Sequence, residues 1–106
     1  MFRLIDYTPE ILKMAEANNT QWDVAASMFL NNIRDIHIED DQYVYHGAGL
    51  PKAEYVKLHK VLDDEARYDG EYMNEFRELY DSHLDEFTAL WNKGDIVGIR
   101  ALAKAL

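Results

Sequence analysis

Apolar side chains in the C-terminal half of the chain recur at helical spacing, not at strand spacing. With Phe76 at zero on a wheel of ~100° per residue, Tyr72, Leu79, Tyr80, His83, Phe87 and Leu90 fall within about 60° of it. Met73 and Trp91 mark the edge of that sector at ~60°, and Leu84 lies at ~80°. The pattern predicts one long amphipathic helix from about Glu71 to Lys93, stopped by Gly94.

The same periodicity predicts helices before and after it. Thr8 is placed to cap a first helix with Pro9 at its opening position, and Asn18 and Asn19 to end it. Thr20 is placed to cap a second, in which Trp22, Ala25, Ala26, Phe29 and Ile33 share a side. Pro51 opens a third whose face carries Tyr55, Leu58, Leu62 and Ala66, with Gly70 interrupting it. Asp95 caps a last one. Phe2 to Ile5 reads as an edge strand or a packed terminus. Ile36 and Ile38 alternate with polar residues, and Tyr43, Val44 and Tyr45 favour strands, so a short β-hairpin near residues 36–46 stays open. The competing reading runs the second helix on to about Ile38, with loop behind it. The fold class that follows is mainly α: a small single-domain helical bundle of four to five helices over residues 1–106.

Composition excludes more than it assigns. The chain has 106 residues and no cysteine, which removes disulfides, thiol catalysis and cysteine zinc sites. A reducing cytoplasm is compatible with that usage. The start of the chain lacks a long apolar run behind a basic head, so no signal peptide is expected. No segment approaches the roughly 20 apolar residues that cross a bilayer.

Charge changes the picture. The net charge is −9, from 20 acidic and 11 basic residues. Met1 to Leu62 carries net −3, Asp63 to Glu86 net −8, and Phe87 to Leu106 net +2. On the predicted long helix, Glu71, Glu78 and Asp85 repeat on the face opposite the apolar stripe, about 10.5 Å apart. Asp81 lies near that line, and Glu75 and Glu86 flank it. Like-charged neighbours on a helix cost roughly 0.2–0.5 kcal/mol per pair, which burial of a single Phe or Leu at about 1.5–3 kcal/mol covers. Asp63 and Asp64, at the end of the third helix, would extend the array if the chain folds them beside it.

Catalytic and metal chemistry find little support. No Glu-x-x-His pair precedes any of the four histidines. "HGAGLPK" lacks the spacing of a phosphate loop, and Ser27 and Ser82 lie in helical segments, away from any nucleophile elbow. The expectation is therefore a non-enzymatic protein with no catalytic residue, no metal and no cofactor. Seven tyrosines among the acids suit either ordinary packing or a protein interface.

The functional expectation is a protein-binding inhibitor. Asp63, Asp64, Glu71, Glu75, Glu78, Asp81 and Asp85 would meet a basic surface, that of a nucleic-acid-binding complex or a nuclease. Direct contact with nucleic acid or an anionic membrane is disfavoured by repulsion. Small phage inhibitors of restriction and CRISPR systems, and immunity proteins against nuclease toxins, work in this general way. That likeness is one of size and charge. The rival expectation is a self-associating structural or scaffolding protein, a homodimer that buries an apolar helix face against its own copy and keeps the charges for solubility.

Overall fold

The computed structural model describes residues 1–36 and 50–106. Among them the chain forms a 3-10 turn (Leu4–Tyr7) and six α-helices: α1 (Thr8–Ala17), α2 (Trp22–Asp35), α3 (Lys52–Glu65), α4 (Asp69–Ser82), α5 (Leu84–Asn92) and α6 (Ile96–Ala105). The mainly helical class expected from the periodicity is observed, with more helices than the four to five anticipated. Apart from Ile36, the hairpin residues lie outside the described part.

Two helix ends follow the sequence signals through backbone geometry. At the end of α1, Asn19 takes φ 51°, and Thr20 N–H reaches back to the Ala15 carbonyl at 2.9 Å while Asn19 N–H meets Glu16. Gly94 does the same after α5 at φ 71°, with Asp95 N–H on the Leu90 carbonyl at 3.0 Å. These paired bonds satisfy carbonyls that a helix end leaves orphaned.

Other boundaries differ from expectation. Thr20 closes α1, so α2 starts later and Gln21 is its cap residue. Thr8 is the first residue of α1 because the 3-10 turn runs straight into it, and its hydroxyl donates to the Ile5 carbonyl at 2.6 Å. Phe2, Leu4 and Ile5 are a buried, packed terminus. The third helix stops at Ala66, in the left-handed region at φ 53°. Gly70 instead sits in the first turn of α4, where an added Cβ would meet nothing within 4 Å. The Asp95 carboxylate caps α6 by accepting from Gly98 N–H at 2.8 Å.

The single long helix is also corrected: it is two helices that meet at His83. Ser82 Oγ donates to the Glu78 carbonyl at 2.7 Å, and His83 Nδ1 lies 3.1 Å from the Leu79 carbonyl and must donate to it. Side chains that bond back to carbonyls in the preceding turn compete with the helix ladder and bend it. The apolar stripe survives the break. Phe76 stacks on Tyr80 at 5.4 Å, and Tyr80 on Phe87 at 4.9 Å. These rings join Tyr55, Phe29, Leu62 and Ile99 in one buried core, which α1 and α2 wall on one side and α6 on another.

Candidate functional site

Two clusters of carboxylates lie at opposite ends of α4. At its N-terminal end the fold supplies cations. Arg34 from α2 donates through Nε to Asp69 at 2.7 Å and through Nη2 to the Arg67 carbonyl at 3.0 Å, and stands 4.0 Å from Asp63. His59 Nε2 is 3.3 Å from the same Asp63. Arg67 meets Glu71 at 2.9 Å and Glu75 at 3.9 Å and covers the Tyr72 ring at 4.8 Å. The Glu71 hydrogen bond raises the Arg67 pKa above its ordinary value. Glu65 accepts the backbone N–H of Phe2 at 2.8 Å and tethers the start of the chain.

The α4–α5 corner has no such supply. Glu78, Asp81, Asp85 and Glu86 are exposed and form no ion pair among the described residues. Arg77, four residues before Asp81, forms none either. Asp85 and Glu86 stand in the first turn of α5, where the helix dipole favours anions. Glu78 and Asp81 stand near the carbonyl end of α4, which disfavours them, and its last turn holds no basic residue.

The expected site residues therefore divide. Asp63, Glu71 and Glu75 face the chain's own cations, and Asp64 beside them is exposed and forms no ion pair among the described residues. Glu78, Asp81 and Asp85 are the open members, and Glu86, outside the expected set, joins them. Asp63 and Asp64 do not extend the open array. They lie at the far end of α4, whose 14 residues span about 20 Å.

Beside the corner runs an apolar groove of ≈ 380 Å³ between α1, the start of α2, α4 and α5. Trp22, Tyr80, Leu84 and Trp91 line it, with Leu12 and Thr88. Trp22 packs on Tyr80 at 4.6 Å and on Phe76 at 5.8 Å, which fixes the groove floor to the core. Burial pushes the Tyr80 phenol up to about 12. Sequence periodicity assigned these side chains to the core stripe; that Trp22 and Trp91 would line one groove was not legible. The bases lie elsewhere: Arg3, Arg100 and Lys104 share a separate cleft of ≈ 570 Å³ with Asp6. There Arg100 forms an ion pair with the buried Glu10.

Among the described residues no group of three His, Asp or Glu side chains is arranged to hold a metal ion. No described helix is long and apolar enough to cross a membrane. Compared with protein-family models, curated proteins and solved structures, the chain matches none of them.

Proposed function

We propose that the protein is a non-enzymatic inhibitor whose α4–α5 corner docks on a basic surface, that of a nucleic-acid-binding complex or a nuclease. One observation carries the reading: Glu78 and Asp81 are exposed, and unpaired among the described residues, at the end of α4 where the helix dipole opposes them. Among the described residues Arg34 and Arg67 are brought to other carboxylates and no cation is brought to these. In the complex these carboxylates occupy lysine and arginine side chains that otherwise meet phosphates. Attraction at a distance raises the association rate. The array is sparser than nucleic acid. On α4, Glu78 and Asp81 stand three residues apart, about 4.5 Å of helix, whereas duplex DNA sets out a phosphate about every 1.7 Å. The corner is thus a docking patch, not a full copy of a nucleic-acid backbone.

The self-associating reading has less support. The apolar face it would bury against a copy is spent internally, with Tyr72, Met73, Phe76, Tyr80 and Phe87 all in the core.

The test is affinity capture from the native host at low and high salt. The wild type is expected to retain a basic nucleic-acid-binding protein or nuclease, less so as salt rises. The triple charge reversal Glu78→Lys, Asp81→Lys, Asp85→Lys should release it while circular dichroism shows the fold intact. Retention of that protein by the folded triple variant would rule the corner out.

A further inference from the structure

Resting on that docking reading, we infer that the groove beside the acidic corner seats the apolar side of a basic amphipathic helix from the partner. The groove and the corner are contiguous. Leu84 lines the groove and also the adjoining ≈ 280 Å³ crevice formed by Asp81, Ser82, His83, Asp85 and Glu86. Glu16 stands on the opposite wall, and no lysine or arginine lines either hollow. An occupant must therefore bring apolar atoms for the tryptophan and leucine walls and cations for the rim. One helix face does both, with apolar residues at i, i+3 and i+4 and basic residues beside them.

Both tryptophans of the chain line the groove, so their emission reports its occupancy directly. The probes are a synthetic helix-forming peptide of leucine and lysine at helical spacing, and a peptide of equal charge with serine replacing leucine. The leucine peptide is expected to shift tryptophan emission to the blue and to bind roughly tenfold more tightly than the serine peptide. Thr88→Phe, on an exposed wall position, fills the groove without changing charge. It should erase that preference, with circular dichroism confirming the fold. The double reversal Asp81→Lys, Asp85→Lys should weaken both peptides. Equal binding of the two peptides, salt-sensitive and with emission unmoved, overturns the groove and leaves the docking reading standing. Binding of the leucine peptide that ignores salt and charge reversal overturns the docking reading and with it the basic occupant. Binding of neither peptide overturns both.

Discussion

The N-terminal end of α4 gathers Asp63, Asp69, Glu71 and Glu75 and meets them with Arg34, His59 and Arg67; the C-terminal end gathers Glu78, Asp81, Asp85 and Glu86, which meet no cation among the described residues. Both ends read alike in composition. The difference shows that a run of carboxylates is not a site in itself. What distinguishes an open anion from a structural one is whether another element carries a cation to it. Arg34 reaches Asp69 across 35 residues of sequence, and it also holds the Arg67 carbonyl. That cluster joins α2 to the α3–α4 connection. Among the described residues the corner carboxylates join no elements by charge.

Removing the internal cations should expose this contrast most strongly where burial is deepest. Glu10 is 7% exposed, one of its oxygens has no partner, and the other depends on Arg100. Arg100→Met should therefore cost about 2–3 kcal/mol in chemical denaturation, because it strands a buried carboxylate. Arg34→Gln acts on a partly exposed cluster and should cost less, about 1–2 kcal/mol by the same measurement. The corner should behave in the opposite way. Asp81→Lys with Asp85→Lys should move stability by no more than about 0.5 kcal/mol. A loss as large as that of Arg34→Gln would mean that the corner carboxylates hold the fold after all.

A separate effect, independent of the ion pairs, is expected at alkaline pH. Burial raises the Tyr80 pKa from an ordinary 10.0 to about 12 in the folded chain. Below pH 10 both states keep the phenol neutral. As pH rises from about 10 to about 12 the unfolded chain loses that proton first, so folding stability falls across that window. Burial raises Tyr7 and Tyr72 in the same direction. Tyr80→Phe should make the decline shallower without abolishing it, as read from denaturation curves collected across the window.

The helices and core were legible because apolar spacing and turn residues act locally. Asn18, Asn19 and Gly94 ended helices as read, and Phe76, Tyr80 and Phe87 are buried as their wheel positions required. The break at His83 was not legible, since neither Gly nor Pro marks it. It rests on two side chains bonding back to carbonyls, which a wheel does not show. Ala66 ends α3 in a conformation that favours glycine, so Gly70 drew the boundary too far along. For the candidate site, the excess of acid was plain in the sequence. Which acids stay open was not, because ion pairing between helices is a tertiary event. The groove was hidden for the same reason: its walls come from α1, α2, α4 and α5.

The cap on α6 sets a rule for anyone who wants a sturdier version of this chain. A Cβ at Gly98 would fall 2.5 Å from Asp95 Oδ2 and 3.0 Å from Leu90 Cδ2, so alanine there evicts the carboxylate that holds the helix start. Gly70 meets nothing, and alanine at that position should raise the melting temperature through a gain of about 0.5–1 kcal/mol. Two glycines that a propensity table would replace alike thus belong to different trades: one is vacant room, and the other is the seat of its neighbour.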